Sequence, residues 1–415
     1  MLVSFPRSAT PLPDTRKAVR HIILDWTRTR SESLASSFFW LYGSAGAGKT
    51  AILQAIAEFL SSPSESDHNF AASFFFSRGK TGRDRGHFLF STIAYQLALK
   101  VPGLRQHVNH IMELNPTLHT KSMDVQLQFL IIDAFQHLLP PPQRPYLVII
   151  DGLDECHDKA TQQSILRLLC ETITVHKLPL RFLIGSRPES HICDSFDQES
   201  LYTVTRRVIL DETFNPRRDI QVFLRDGFAK ICEKNSILSH VEQPWPKEGV
   251  IDLLVQRSSG QFIYAATVLK FVGADFRSPT KQLALVLKPD SIAFSNLDQL
   301  YTQIISVYPS EVNIVRVLGI ISVCHGELAE VMEEIFGMEE GELELVLRGL
   351  SSLMKDEDDK KYIGVTSYVI PHFAHASFSD YLSDSSRSGP FHVNRQEYEN
   401  QVTIRSFALI IQLIR

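Results

Sequence analysis

The chain has 415 residues, of which 44% are hydrophobic and 21% are charged, and its formal net charge is −5. At about 150 residues per domain, this length predicts two to four domains, and the apolar content excludes a globally disordered protein. The slightly acidic balance argues against a protein that binds nucleic acid over its whole surface.

Cysteine use and hydropathy indicate the compartment. The five cysteines are widely spaced and form no C-x-x-C pair, so we expect neither a disulfide framework nor a structural zinc site. The N-terminal segment lacks the apolar core of a signal peptide, and no stretch reaches about 18 uninterrupted apolar residues. The sequence therefore predicts a cytoplasmic protein without a membrane partner.

The first half of the chain alternates between predicted strands and helices. Residues 1–35 are predicted to be a proline-rich lead-in followed by a helix from Arg16 to Arg28. Short apolar runs predict strands at 38–42, 71–76, 146–150, 180–184 and 208–210, and helical spacing predicts helices at 51–60, 88–99, 125–138 and 163–169. This alternation predicts an α/β domain at residues 36–210, with a parallel sheet covered on both faces.

The second half is predicted to be mostly helical, with helices at 220–232, 250–256, 262–272, 297–307, 312–323 and 342–353. We expect a helical domain at 211–275 and a winged-helix domain at 276–385, because two strand-like runs, 361–365 and 368–373, follow the helices. Acidic residues at 356–359 would form the tip of that hairpin and repel phosphate, so a nucleic-acid partner is not expected. Residues 386–415 are predicted to be the start of a truncated helical segment.

A phosphate-binding motif joins the first predicted strand to the following helix. The motif G-x-x-x-x-G-K-[ST] is matched by Gly43, Ser44, Ala45, Gly46, Ala47, Gly48, Lys49 and Thr50, and Ala51 continues into the helix. Glycines let successive backbone N–H groups turn toward an anion at a helix N-terminus. Lys49 supplies a charge for the β- and γ-phosphates, and the Thr50 hydroxyl can bind Mg²⁺. The motif predicts a magnesium-dependent nucleoside triphosphate site.

Three acids follow the apolar strand 146–150. Asp151 is predicted to hold Mg²⁺ together with Thr50. Asp154 and Glu155 are candidates for orienting or deprotonating an attacking water, which would permit hydrolysis. The alternative for these two acids is capping and first-turn charge for the next helix.

Basic residues follow two other predicted strands. Arg187 comes after the strand at 180–184, where it is predicted to sense the γ-phosphate; the alternative is a surface arginine. Lys80, Arg83 and Arg85 lie in a glycine-containing loop after the strand at 71–76. For that loop we expect a solvated surface, with a nucleotide or subunit contact as the alternative.

Together these motifs resemble the NACHT family of STAND-class signal-transduction NTPases, in particular fungal NACHT proteins and nephrocystin-3-like N-terminal modules. The resemblance is carried by D-G-L-D-E at 151–155, G-S-R-P-E at 185–189 and H-A-S-F-S-D-Y-L at 375–382. It implies a five-stranded sheet of order 5-1-4-3-2, a helical domain and a winged helix. It also implies that Thr15 and Arg16 lie near the adenine and that His375 reaches the β-phosphate of ADP.

Two functions remain open from the sequence. The first is an ATP/ADP switch that is closed with ADP, opens with ATP for self-association or signalling to an unidentified protein partner, and is reset by slow hydrolysis. The second is a scaffold that binds nucleotide only for folding. For His375, the alternative to a phosphate contact is helix capping or core packing.

Overall fold

The computed structural model describes residues 16–29, 37–62, 69–79, 82–235, 238, 240–274, 277–288, 295–307, 314–324, 327–355 and 369–414. The chain divides into two compact units, residues 1–215 and 216–415. Thr15, Lys80, the acids at 356–359 and the predicted strand at 361–365 lie outside the described residues.

The first unit contains a five-stranded sheet in which every pair of neighbouring strands is parallel. The strand order is β2-β3-β4-β1-β5, which confirms the predicted order 5-1-4-3-2. The strands are β1 (Phe38–Tyr42), β2 (Phe70–Phe75), β3 (Tyr146–Asp151), β4 (Leu180–Ser186) and β5 (Thr205–Ile209). The apolar run before the phosphate-binding motif is the buried strand β1, which has a neighbouring strand on each side, as its composition predicts.

Nine helices accompany these strands in the described part of the first unit: α1 (Lys17–Arg28), α2 (Lys49–Leu60), α3 (Leu89–Lys100), α4 (Leu104–Leu114), α5 (Met123–Leu127), α6 (Asp133–Gln136), α7 (Lys159–Thr174), α8 (Ser190–Asp197) and α9 (Glu199–Tyr202). A π-helical turn, Gln128–Ile132, makes α5 and α6 one continuous segment. The helices α4, α8 and α9 were not predicted. In α4, Leu104 and Val108 are buried and Ile111 and Met112 pack against the same core, so the helical apolar spacing was present in the sequence.

Alternating side chains of β1 enter separate cores on the two faces of the sheet. Phe38 and Trp40 pack in one cluster with side chains of α3 to α9, whereas Phe39 and Leu41 pack in another with α1 and α2. Both faces are therefore buried, as parallel sheets require. This arrangement leaves the carboxyl edge of the strands, where the loops leave the sheet, as the place for a site.

The second unit is helical in its described residues. Its helices are α10 (Pro216–Lys234), α11 (Glu248–Ser258), α12 (Phe262–Val272), α13 (Pro279–Val286), α14 (Asn296–Ile305), α15 (Ile314–Val323), α16 (Ala329–Phe336), α17 (Glu342–Gly349), α18 (Ala376–Ser383), α19 (Ser385–Ser388) and α20 (Arg395–Ile414). One hydrophobic core runs through this unit from Ile220 to Val393, and it includes Val272 and Leu283 on either side of the predicted boundary at residue 275. The division into a helical and a winged-helix domain stays a prediction.

Two short antiparallel bridges are present near the predicted wing. Leu328 pairs with Val369, and Met354 pairs with Phe373. The described part of the second predicted wing strand, residues 369–373, therefore pairs with other segments at two positions. In the segment 386–415, which was predicted to be helical, the long helix begins at Arg395, and its Tyr398 packs against the core of the unit.

No helix in the described ranges has both the length and the apolar character needed to cross a lipid bilayer.

Candidate nucleotide-binding site

The phosphate-binding loop connects β1 to α2, and its glycines adopt conformations that other residues avoid. Gly46 and Gly48 have φ angles of 74° and 93°, in the left-handed region that favours glycine. A Cβ at Gly43 would lie 2.9 Å from the carbonyl oxygen of Leu210, which follows β5. Glycine is therefore required both for the turn of the loop and for its close approach to the neighbouring chain segment.

Lys49 is buried at the start of α2. Its Nζ donates hydrogen bonds of 2.8 Å and 2.9 Å to the carbonyl oxygens of Gly43 and Ser44. Burial lowers the pKa of Lys49, and the charges of Asp154 and Asp151 oppose that shift. The ammonium group is thus directed into the loop. Its N–H groups donate here to carbonyl oxygens, and in a nucleotide complex they would donate to phosphate oxygens.

Asp151 ends β3 at the same edge of the sheet. It is 1% exposed, and its Oδ1 has no hydrogen-bond partner among the described residues. Burial raises the pKa of Asp151 to about 7, while a hydrogen bond from the Thr50 hydroxyl opposes the shift. A buried, unsatisfied carboxylate oxygen beside a hydroxyl is the hard oxygen donor set that Mg²⁺ prefers. These residues fit the predicted magnesium ion.

Gly185 provides the space for this carboxylate, a role that was not predicted from the sequence. The strand register aligns Ile150 with Ile184, which brings Gly185 beside Asp151. A Cβ at Gly185 would lie 2.4 Å from Oδ1 of Asp151 and 2.4 Å from Cδ1 of Leu53 on α2. The glycine therefore permits both the position of the acid and the packing of the helix behind the phosphate loop.

Gly185→Ala is expected to lower the free energy of unfolding by about 1–3 kcal/mol, because the added methyl group overpacks a fully buried strand. Urea titration followed by tryptophan fluorescence measures this, since Trp40 donates a hydrogen bond to the adjacent Ser186. Gly249→Ala on α11 is the matched control, because a Cβ at Gly249 would meet no atom of the described residues within 4 Å. Equal stability of the two variants would contradict the prediction.

Asp154 and Arg187 form a buried pair at the edge of the sheet. The backbone N–H of Arg187 donates to Oδ1 of Asp154 at 2.9 Å, and Nε lies 3.1 Å from Oδ2. The Asp154 side chain is 3% exposed and that of Arg187 is 18% exposed. Arg187 is therefore not an isolated surface arginine, and Asp154 acts here as its carboxylate partner.

Glu155 lies in the short 3₁₀ turn Leu153–Glu155 and faces the loop after β2. Its Oε2 accepts a hydrogen bond of 3.2 Å from the backbone N–H of Arg78. The side chain is partly exposed, unlike that of Asp154. Of the two acids predicted to act on water, Glu155 is thus the one with access to solvent.

Arg16 braces the phosphate loop from the side of α1. It immediately precedes that helix in a left-handed conformation, with φ 57°, and its guanidinium donates to the carbonyl oxygen of Ala47 at 2.8 Å. The helix is held in turn by Arg181 of β4, which donates to the Trp26 carbonyl oxygen at 3.1 Å. The helix α1 is therefore joined to the site. The predicted position of Arg16 near the adenine stays a prediction.

His375 belongs to the second unit, where it caps α18. Its Nδ1 accepts a hydrogen bond from the Ser377 N–H at 3.1 Å. The Ser377 hydroxyl lies 2.7 Å from Nδ1 and 2.8 Å from the Tyr301 hydroxyl. The capping role weighed for this histidine is present, and its predicted phosphate contact stays a prediction.

The sheet order, the loop between β1 and α2 and the acid at the end of β3 together define the first unit as a P-loop NTPase fold. A family model described as nephrocystin 3, N-terminal, matches residues 20–187. No curated protein matched the sequence.

Several solved structures are similar to this chain at low identity. They include the Aeropyrum pernix ORC1 protein in complex with DNA, with 14% identity, 97% of each chain covered and a TM-score of 0.40. Cdc6p from Pyrobaculum aerophilum has 12% identity, 97% of each chain covered and a TM-score of 0.40. The Aeropyrum pernix ORC2 protein has 13% identity, with 98% of this chain and 97% of that chain covered and a TM-score of 0.41. Because these TM-scores are low, the P-loop NTPase fold is assigned from the sheet order and the phosphate-binding loop and not from these structures.

Proposed function

We propose that the chain is a STAND-type, NACHT-like switch that binds ATP and ADP with Mg²⁺. The observation that carries the proposal is the convergence of Lys49, Thr50 and Asp151. The Lys49 ammonium is directed into the P-loop, and the Thr50 hydroxyl donates to the Asp151 carboxylate at the end of β3. A phosphate chain needs a cation and backbone donors, and its magnesium ion needs oxygen ligands. The nephrocystin-3 match over residues 20–187 supports this subtype.

In the proposed nucleotide complex, the loop glycines and Lys49 bind the phosphates, and Thr50 and Asp151 hold Mg²⁺. When bound, the ion would offset the negative charge of the phosphates. Arg16 keeps the loop in position through Ala47. The burial of Lys49 and Asp151 strengthens their electrostatic interactions, because little water screens them.

Slow hydrolysis is the second part of the proposal. Glu155, with its partly exposed carboxylate, is the residue we expect to orient an attacking water. Arg187 would have to exchange its contact with Asp154 for one with the γ-phosphate, and this exchange would slow the reaction. In this scheme Asp154 positions the arginine and Glu155 acts on the water.

The switch itself is proposed to use the second unit. His375 would bind the β-phosphate of ADP in a closed state, and exchange for ATP would release it and favour self-association. In the structure Nδ1 of His375 is used by the cap on α18, where it accepts from the Ser377 N–H, so the proposed contact with ADP would have to use Nε2.

The alternative, a nucleotide-binding scaffold without significant hydrolysis, is favoured by one observation: the Asp154 carboxylate is already bound by Arg187. Single-turnover assays with Mg²⁺ and radiolabelled ATP separate the two. We expect slow phosphate release by the wild type and at least about tenfold slower release by Glu155→Gln. No phosphate release by the wild type over days, with Glu155→Gln behaving in the same way, would favour the scaffold.

The proposal of nucleotide binding is tested by identifying, with mass spectrometry, the nucleotide that copurifies with the full chain and by calorimetric titration of the nucleotide-free protein. We expect ADP to copurify and both ADP and ATP to bind in the presence of Mg²⁺. A folded sample that releases no nucleotide and gives no heat with either one would overturn the proposal.

A further inference from the structure

The loop after β2 brings a further arginine to the edge of the sheet. Nε of Arg83 donates a hydrogen bond of 2.7 Å to the carbonyl oxygen of Phe75, and the Ser77 N–H donates to the carbonyl oxygen of Arg83 at 2.9 Å. Phe75 ends β2 and lies opposite Asp151 in the parallel register. The guanidinium is therefore fixed one strand away from the carboxylate that fits Mg²⁺.

Backbone contacts fasten this loop to the turn that carries the acids. The His157 N–H donates to the carbonyl oxygen of Asp84 at 2.8 Å, and the Arg78 N–H donates to the Glu155 carboxylate at 3.2 Å. The loop and the turn after β3 thus hold each other in place. A charge on the loop keeps a defined position relative to Asp151.

The environment of Arg83 differs from that of a solvated loop residue. Its side chain is half-buried, whereas Arg85 on the same loop is exposed. Burial lowers the pKa of Arg83, and the carboxylates of Glu155 and Asp151 oppose that shift. Within the described residues only Nε of its side chain donates a hydrogen bond, so the terminal amino groups are available to a ligand.

Other cations of the site already have protein partners, including Arg16, which donates to the carbonyl oxygen of Ala47, and Arg78, whose guanidinium donates to that of Asp154. Lys49 donates to carbonyl oxygens of the phosphate loop, and Arg187 is paired with Asp154. Arg83 instead uses one nitrogen to hold its own loop, and the charges that act on its guanidinium are those of Glu155 and Asp151. It therefore adds a positive charge to the side of the site where the acids lie.

We propose that Arg83 is a specificity-determining residue that favours the magnesium complex of a nucleoside triphosphate over the diphosphate. The γ-phosphate adds negative charge next to the ion that Asp151 would hold, and a fixed cation beside that acid stabilises the added charge. The diphosphate lacks this group and gains less from Arg83. This inference rests on the proposed nucleotide binding.

The test is calorimetric titration of the nucleotide-free full chain with Mg²⁺ and either ADP or AMP-PNP, which cannot be hydrolysed at the γ-position. Arg83→Ala is expected to raise the Kd for AMP-PNP about tenfold and to change the Kd for ADP by less than about twofold. Arg83→Lys is expected to recover part of the loss. Arg85→Ala, the matched change on the same loop, is expected to bind both nucleotides like the wild type.

Two results would overturn the inference. If Arg83→Ala weakens the binding of both nucleotides equally, the residue serves only to support the loop. If it changes neither affinity, the charge of Arg83 does not act on the ligand. ADP binding also reports whether the variant is folded. A folded wild type that binds neither nucleotide contradicts the proposed function itself, which separates that failure from a failure of Arg83 alone.

Discussion

Lys49→Ala is expected to weaken the binding of both ADP and ATP by about 100-fold, which corresponds to about 3 kcal/mol. The ammonium group is buried and directed into the phosphate loop by its hydrogen bonds to Gly43 and Ser44. Its removal takes away a charge that phosphate oxygens would bind and also loosens the loop. Calorimetric titration measures the loss for each nucleotide.

Lys100→Ala, at the exposed end of α3, is the matched control and is expected to bind like the wild type. Circular dichroism shows whether the variants are folded. An unchanged affinity in folded Lys49→Ala would mean that the loop does not bind phosphate. Lys49→Arg is also expected to weaken nucleotide binding. A planar guanidinium does not reproduce the hydrogen bonds of Lys49 to the carbonyl oxygens of Gly43 and Ser44.

We expect the stability of the wild type in EDTA to depend on pH through Asp151, and Asp151→Asn is expected to remove this dependence. The folded-state pKa of Asp151 is about 7, above the 3.8 of an ordinary aspartate, so the folded state holds a proton that the unfolded state has released. Stability is therefore lost as pH rises from about 4 to about 7, by about 4 kcal/mol over the whole interval. Below this interval the penalty is absent.

The difference between wild type and Asp151→Asn, measured by urea unfolding at pH 5 and pH 8, isolates this contribution from the other carboxylates. The variant is expected to be the more stable protein at pH 8, and Mg²⁺ is expected to stabilise only the wild type. The exposed Asp194→Asn is the control and is expected to follow the wild type. Parallel curves for wild type and Asp151→Asn would contradict the prediction.

The sequence predicted best those elements whose signal lies within a few consecutive residues. The run at 38–42 is a strand with the predicted bounds, because its residues are dense, apolar and followed by glycine. The phosphate loop is likewise a contiguous motif. The sheet order came from the resemblance to a family, and the structure confirms it.

The roles of two residues depend on which strands are neighbours. The role of Gly185, which β4 places beside Asp151, was not predicted. For Arg83 a nucleotide contact was only the alternative to a solvated loop, because the pairing of Phe75 with Asp151 across β2 and β3 is what brings Arg83 to the site. No local pattern contains this information. A glycine one residue before the end of a buried strand was the available signal, since glycine weakens a strand and often marks a close approach.

The pairing of Asp154 with Arg187 has the same origin. The two residues are 33 positions apart, and each was predicted to act on the nucleotide separately. Their contact depends on the adjacency of β3 and β4. Sequence reasoning therefore located both groups at the correct edge but did not predict that they neutralise each other.

The continuous core of the second unit has a practical consequence for dissecting this chain. Apolar side chains from Ile220 to Val393 pack in one cluster, so a cut near residue 275 would leave Val272 and its neighbours facing water on one fragment and Leu283 on the other. Exposed faces of that kind promote aggregation. The natural place to separate the halves is between Asn215 and Pro216, where the two units meet along the sequence.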